Sequence, residues 1–526
     1  MNAPLRRRLD LIATGAVCVF YAALEAWRLD FPVVGNDEAG SVMPALSILD
    51  NLSGRPLHAL PIPLHHWPLM ICDYNGCPMS YVLAPIMRIA GVSVDVLRLT
   101  EIGISLASVL VLLYLVSKVF PRIPLWAPAL CCLGNDMFLL SSRTGLDNVP
   151  FLEWLLLPLM LLCLRQWALT RSWRYPLIAF ALLGFGIYSK IILVWFLPPT
   201  AWNAWSLSRR GDGVRAPLGK LCIVGAVGLL AGSLPLLLFN IGNHWPTASI
   251  ILEHFRQPGD IGAASNSDFL QNLATRWEHL LYLFNGQPLQ GEAFLLSGRV
   301  SLALFLIGIF SFKDRAQRRA LACVGTYVAA FFVGSTFTFN GRHPYHLLTI
   351  FPLMLVVSGI SLARLVPYRL PLLILCLLLI LPQVRHFNDG LLGCDKALNG
   401  TSPRALSSLT DYLLAHGILH PVALDWDIAE PLSVTSGGRI VADMNHYQEP
   451  IEKASEAVCF WKSSAPSETL QGCDRLLRDP SVTLGEIRKF PADSAAPVFG
   501  LIQVTDVRRR AADEAPRRHP GDKGDL

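Results

Sequence analysis

LRLTEIGISLASVLVLLYLVS, residues 97 to 117, decides the fold class. A bilayer core about 30 Å thick is crossed by roughly 20 helical residues rising about 1.5 Å each, and this run fits that length. The rest of the chain agrees: of 526 residues, 52% are hydrophobic and only 16% charged, with a mean hydropathy of +0.44, whereas soluble chains carry about 25% charged residues. The composition is that of a polytopic membrane protein.

By the same measure, spans are expected near 9 to 29, 97 to 117, 123 to 141, 149 to 166, 175 to 188, 191 to 207, 218 to 240, 294 to 312, 320 to 339, 345 to 365 and 369 to 385. The fold class is therefore an all-α membrane domain of about eleven helices. One straight helix over 175 to 207 would be about 50 Å long, so a turn is expected near Ser189 and Lys190. The first span follows Arg6, Arg7 and Arg8 without a small-residue cleavage site and is read as a retained anchor. PMSYVLAPIMRIAG, 78 to 91, is only about 21 Å as a helix and carries Arg88, which fits an amphipathic helix lying on the membrane surface.

The formal net charge of +5 is spread in small groups beside apolar segments and offers no nucleic-acid surface. It reports topology instead. With the amino terminus inside, one side collects Lys118, Arg122, Arg165, Arg171, Arg174, Arg209, Arg319 and Arg369, as the positive-inside bias requires. These inner loops are short and hold no phosphate-cradling glycine pattern. Three pieces fall outside: 30 to 96, 241 to 293, and everything after 386. The last has mixed composition, a helix-like SPRALSSLTDYLLAHG (402 to 417) and strand-like PVALDW, GGRIVADM, EAVCFW and VFGLIQV. A small α/β domain over 386 to 506 is expected, followed by a tail from 507 without apolar periodicity. Cys72 with Cys77 and Cys459 with Cys473 are the pairs that an oxidising compartment would turn into disulfides. No internal repeat of the kind that builds transporters is evident.

Polar residues gather at the outer ends of the spans. Asp37 and Glu38 follow the first, in GNDEAG; Asp73 and Tyr74 precede the surface helix; Arg143 and Asp147 stand between the third and fourth spans. Lys190 occupies the turn between the fifth and sixth, and Arg342, His343, Tyr345 and His346 lie between the ninth and tenth. Carboxylates can take a proton from an attacking hydroxyl, and fixed cations can stabilise a departing phosphate. Each feature also has a structural reading: Arg143 and Asp147 as an i, i+4 ion pair, Lys190 as a snorkelling side chain, the histidines as span anchors.

DEAG (37 to 40), DYNGCPMSYVLAPIMRIAGVSVDVLRL (73 to 99), RTGLD (143 to 147), GIYSK (186 to 190) and GRHPYHLLTIFP (341 to 352) together resemble the GT-C fold glycosyltransferases, in the branch of the protein O-mannosyltransferases and the bacterial aminoarabinose transferases. The resemblance covers roughly 10 to 385. It implies a polyprenyl-phosphate-linked sugar as donor, a glycan, lipid or protein as acceptor, inversion at the anomeric carbon, and reaction on the outer face of a bacterial inner membrane. It implies Asp37 as general base with Glu38 assisting, and makes Arg143, Lys190 and Arg342 candidates for the donor phosphate. Asp73, Tyr74, Asp147, His343, Tyr345 and His346 are candidate substrate contacts. The chain departs from some aminoarabinose transferases in lacking a lysine at 73 to 76. No metal motif is legible, and Asp37, Asp73 and Asp147 are the carboxylates that would hold a divalent ion if one is used. A flippase of lipid-linked sugars and a non-catalytic lipid-binding relative are the alternatives.

Overall fold

The computed structural model describes residues 3–49, 68–72, 74–145, 150–209, 217–256, 269–285, 296–310, 312, 314–337, 344–397, 403–425, 428–444, 455–461, 472–490 and 498–507. The chain divides into two compact units, Met1–Pro32 with Asp37–Asp395, and Val33–Asn36 with Lys396–Leu526.

The first unit begins with α1 (Ala3–Ala26), the short α2 (Asn36–Ala39) and α3 (Val42–Ile48), and a hairpin of β1 (Met70–Cys72) and β2 (Asn75–Gly76). Then come α4 (Pro78–Ala90), α5 (Val94–Val119), α6 (Trp126–Leu133), α7 (Asp136–Thr144), α8 (Pro150–Thr170), α9 (Arg174–Ser189), α10 (Leu197–Ser208), α11 (Leu218–Gly232), α12 (Leu234–Gly242), α13 (Pro246–Arg256), α14 (Phe269–Asn285), α15 (Leu296–Phe310), α16 (Arg315–Gly334), α17 (Phe351–Leu365) and α18 (Arg369–Ala397).

Each of the eleven expected stretches contains helix, but in different forms. Among the described residues six helices are long and apolar enough to cross a bilayer, and a seventh crossing arises if α11 and α12, bent by 63° at Ser233, are one span. Arg174–Ser189 and Ser297–Phe310 are shorter apolar helices. The expected turn near Lys190 is present: α9 ends at Ser189, Lys190 is extended (φ −149°, ψ 122°), and a 3-10 segment Ile191–Phe196 leads into α10. Residues 78 to 90 form a helix, α4, ended by Gly91 at φ 88°, a conformation that a side chain disfavours.

Local chemistry sets the helix ends. Ser93 accepts from the Val96 amide at the start of α5, with Asp95 in its first turn and Lys118 in its last, which satisfies an orphan donor and complements the helix dipole. Asn135 caps α7 in the same way through the Phe138 amide, and Asp314 caps α16 through Ala316 and Gln317. Helix α17 is apolar all round and buried without a break from Phe351 to Ala363, as a central helix must be. It packs on α15 and α6. By contrast α1, α11 and α18 expose Ile12, Val19, Ile223, Leu230, Leu378 and Leu381, the apolar surface a bilayer covers. Helices α9 and α11 touch backbone to backbone: a Cβ at Gly232 would run into the Ala181 carbonyl, and one at Gly228 into Leu177. Small residues permit that approach.

The second unit carries α19 (Pro403–Ala415), β3 (Val422–Ala423), α20 (Ala429–Thr435), β4 (Asp443–Met444), β5 (Ser455–Phe460), α21 (Gly472–Arg478), β6 (Val482–Phe490) and β7 (Phe499–Val507). The sheet order is β4-β3-β5-β7-β6, parallel across β4, β3 and β5 and antiparallel thereafter. Leu424, Ala457, Cys459, Cys473, Leu476, Ile502 and Val504 form its buried cluster, and Cys459 is bonded to Cys473. Cys72 and Cys77 are free. Strand β6 was not expected from the sequence. It lies at the sheet edge and is mostly half-buried or exposed, so its charged VTLGEIRKF lacks the apolar alternation of a strand with one face in the core. Helix α18 runs on to Ala397, past the boundary expected at 386.

Candidate functional site

The site begins where α1 ends. A helix terminus leaves its last carbonyls without intrahelical partners, and here one buried side chain from α7 takes them. The Arg143 guanidinium donates to the carbonyls of Leu24 (3.1 Å), Glu25 (2.7 Å), Trp27 (3.0 Å), Arg28 (3.3 Å) and Phe31 (3.2 Å), and through Nε to Glu25 Oε2 (3.3 Å). All three of its nitrogens are engaged by the protein, so the fork meets the end of α1 and not an open phosphate cavity. Its ion-pair partner among the described residues is Glu25; the i, i+4 residue Asp147 lies outside them.

Twelve residues past the end of α1, Glu38 is committed as well. Arg98, fully buried on α5, donates from Nε to Glu38 Oε1 at 2.6 Å and from Nη2 to Oε2 at 2.8 Å, while Nη1 donates to the Leu29 carbonyl at 2.5 Å. A bidentate fork of this kind fixes orientation as well as charge. It ties the DEAG segment to the first turns of the span and to the chain leaving α1. One turn further along α5, Glu101 is buried with its Oε2 unpartnered. Asp37 belongs to α2 with Glu38, and its side chain lies outside the described residues.

The hairpin and α4 close onto the same region. Ser80 donates to the Ser41 carbonyl at 2.6 Å, holding α4 against the turn that follows DEAG. The hairpin docks on the end of α9: Asn75 and Lys190 form a backbone bridge, and Gly76 sits so close to Tyr188 that a Cβ would overlap its carbonyl and ring. Tyr188 donates to the Leu69 carbonyl (2.7 Å), while the Cys77 thiol and the Tyr81 hydroxyl both donate to Pro68 (2.8 and 2.5 Å). Burial pushes the Cys77 thiol up to about 12, which keeps it a protonated donor. Lys190 is buried, and its neighbour Ser189 donates to Glu153 at 2.8 Å. Tyr74, at the hairpin tip, is exposed.

The segment 241 to 293, expected outside, supplies α14. Arg276, fully buried, donates twice to the Ser335 carbonyl (3.1 and 2.8 Å) and lies 3.5 Å from His346 Nδ1 and 3.4 Å from His279 Nδ1. Burial pushes its guanidinium down to about 10, so it stays cationic at neutral pH. Trp154 of α8 stacks on Phe138 and donates to the Leu348 carbonyl at 2.7 Å. His346 therefore stands beside a buried cation.

Of the expected residues, Glu38 is held by Arg98 of α5, Arg143 is brought up against the end of α1, Lys190 bridges to the hairpin, and His346 lies against α14. Asp73, Asp147, Arg342 and His343, and the side chain of Tyr345, lie outside the described residues, and so does the metal expectation that rests on Asp37, Asp73 and Asp147. Among the described residues there is no cluster of three His, Cys, Asp or Glu that could hold a metal. Arg98, Glu25, Glu101 and Arg276 were missed by sequence reasoning, although Arg98 and Glu101 lie in or beside an apolar span, where an ionisable residue is a functional pointer by default.

Residues 77–236 match the model of the dolichyl-phosphate-mannose-protein mannosyltransferase family. That range takes in α4, the Arg98 end of α5, RTGLD and GIYSK. A comparison with curated proteins gives no match. Among solved structures, ArnT from Cupriavidus metallidurans bound to undecaprenyl phosphate superposes with a TM-score of 0.55 at 13% identity, covering 94% of this chain and 97% of that one. The Archaeoglobus fulgidus oligosaccharyltransferase in complex with Zn and sulfate has a TM-score of 0.44 at 15% identity, over 82% of this chain and 62% of that one. Archaeoglobus fulgidus AglB, in complex with an inhibitory peptide and a dolichol-phosphate, has 0.43 at 14%, over 82% and 64%. The chain thus spans less than two thirds of those archaeal proteins. It is a polytopic membrane protein of the GT-C fold, resembling the glycosyltransferase branch of the protein O-mannosyltransferases and aminoarabinose transferases.

Proposed function

We propose that this protein transfers a sugar from a polyprenyl phosphate to an acceptor on the outer face of a bacterial inner membrane, with inversion. The observation that carries the proposal is the interlocking of the segments that bear the resemblance. DEAG is held by Arg98, RTGLD by the end of α1, and the hairpin before α4 by GIYSK. Segments distant in sequence converge on one end of the helical unit, where a lipid tail can stay in hydrocarbon while its head enters a polar region. The proposed topology has eleven crossings, with the amino terminus and the basic loops inside and the second unit outside.

In the proposed displacement, the acceptor oxygen attacks the anomeric carbon as its proton passes to the Asp37 carboxylate, and the bond to the phosphate oxygen breaks with its electron pair leaving on the polyprenyl phosphate. Glu38 positions this segment and does not take the proton, because Arg98 occupies its carboxylate. For the leaving phosphate we retain Lys190 and Arg342. Arg143 is reassigned to shaping the loop that follows α1. Tyr74, Tyr345, His343 and His346, with Asp73 and Asp147, remain candidates for contacts to the sugar or acceptor.

Reconstitution into proteoliposomes with a lipid-linked sugar tests the function. A transferase consumes the donor and releases polyprenyl phosphate only when acceptor is supplied. Movement of intact donor between leaflets, with no release of polyprenyl phosphate, would make the protein a flippase.

A further inference from the structure

At the end of the helical unit away from this site lies a cavity of about 680 Å³. It is walled by α5, α8, α10, α16 and α17, through side chains such as Val116, Leu164, Val324 and Val356. Along α5, Val116 is about 27 Å from Arg98, so the cavity is a separate feature. Its volume is within the range of small-molecule pockets. Three arginines line it, Arg165, Arg171 and Arg319, with no Asp or Glu among the lining residues. Arg171 donates to the Leu207 carbonyl at 2.6 Å. Arg165 and Arg319 are partly exposed and make no hydrogen bond or ion pair among the described residues. Trp202 and Leu169, also in the lining, are exposed at 57% and 63%, so the cavity is open on that side of the helices.

We propose that this cavity binds an anionic phospholipid, one acyl chain between the five helices and the phosphate between Arg165 and Arg319, in the leaflet opposite the site described above. An apolar chamber ending in cations and lacking any carboxylate is complementary to a lipid with a net negative head. Guanidinium groups engage phosphate in paired hydrogen bonds, and the neighbouring indole of Trp202 suits the headgroup level. The bound lipid would brace α16 and α17 against α5 and α8.

The test uses the full chain in detergent, delipidated and then titrated with phosphatidylglycerol or with phosphatidylcholine of identical acyl chains, and read by native mass spectrometry. Two arginines at an anionic head predict retention of phosphatidylglycerol about tenfold or more above phosphatidylcholine. Arg165→Gln with Arg319→Gln should bring that preference down to about twofold or less, and Val324→Trp, which fills the chamber, should abolish retention of both lipids. Equal retention of the two lipids by the wild type overturns the proposal, as does a preference unchanged in the double variant. If the double variant does not fold, Val324→Trp decides: undiminished phosphatidylglycerol retention by that variant places the lipid elsewhere. Retention of a polyprenyl phosphate that excludes phosphatidylglycerol from the wild type also overturns it.

Discussion

Two buried arginines do different work from the two cations retained for phosphate, and this divides the expected phenotypes of their variants. Removing one partner of a buried ion pair leaves an uncompensated charge and costs about 3–5 kcal/mol. Arg98→Ala should therefore lower the thermal midpoint in detergent markedly, and Arg98→Lys should recover little, since an ammonium cannot replace the bidentate fork on Glu38. Arg143→Ala should behave similarly because five carbonyls lose their donor. Lys190 is buried too, so Lys190→Ala is expected to lower melting as well, but it should in addition raise the KM for the donor about tenfold or more, which the Arg98 and Arg143 variants should not. An equal rise in donor KM in the folded Lys190 and Arg143 variants would remove the distinction. Cys77 gives a pH prediction. Its thiol is pushed up to about 12, so below that pH it is the thiol and not the reactive thiolate. At about pH 8 a thiolate-selective reagent should spare Cys77 in the folded protein and label it after denaturation, and in the folded protein Cys77 should become reactive only as the pH approaches its raised value. Rapid labelling of Cys77 in folded protein near neutrality would contradict the burial described.

At the scale of elements, the docking of β1 and β2 on α9 is the contact most easily broken without touching a charge. Gly76 has no room for a Cβ against Tyr188. Gly76→Val should displace the hairpin, reduce transfer by about two orders of magnitude through misplacement of substrate groups, and leave the helical content unchanged. Retained activity in that variant would mean that the hairpin does not help form the site. The helices themselves were legible, because long apolar runs favour helix, six of them long enough to cross a bilayer among the described residues, and the turn at Lys190 followed from length alone. The bend at Ser233 and the 3-10 segments were not, since periodicity does not report a change of axis. Strand β6 was missed because an edge strand needs no buried face, and Leu484, Glu486 and Arg488 carry no alternation that a loop would lack. In the second unit, loss of the Cys459–Cys473 bond, which closes a separation of 14 residues, should cost about 3 kcal/mol. A Cys473→Ser variant with an unchanged melting curve for that unit would show the bond to be dispensable.

For the whole molecule, the positions of charge in an apolar chain pointed to the ends of the spans, but not to which charge there is structural. Asp37, Glu38, Arg143 and Lys190 were singled out by the ends of spans. That signal is the same for a catalytic group and for a helix cap, because both need a polar side chain where hydrocarbon stops. What separates them is partnership, and the partners of Glu38 and Arg143 are Arg98 on α5 and the carbonyls after α1. Those partnerships depend on tertiary packing and are silent in a single sequence. The central claim is that the acidic segment after α1 contributes a base, Asp37, held in place by Glu38 and Arg98. The most direct measurement is donor-dependent sugar transfer by purified Asp37→Asn in proteoliposomes, with melting temperature and lipid-linked donor binding measured on the same preparation. The account predicts loss of transfer by about three orders of magnitude with melting and donor binding preserved; transfer near the wild-type rate in the folded variant would contradict it.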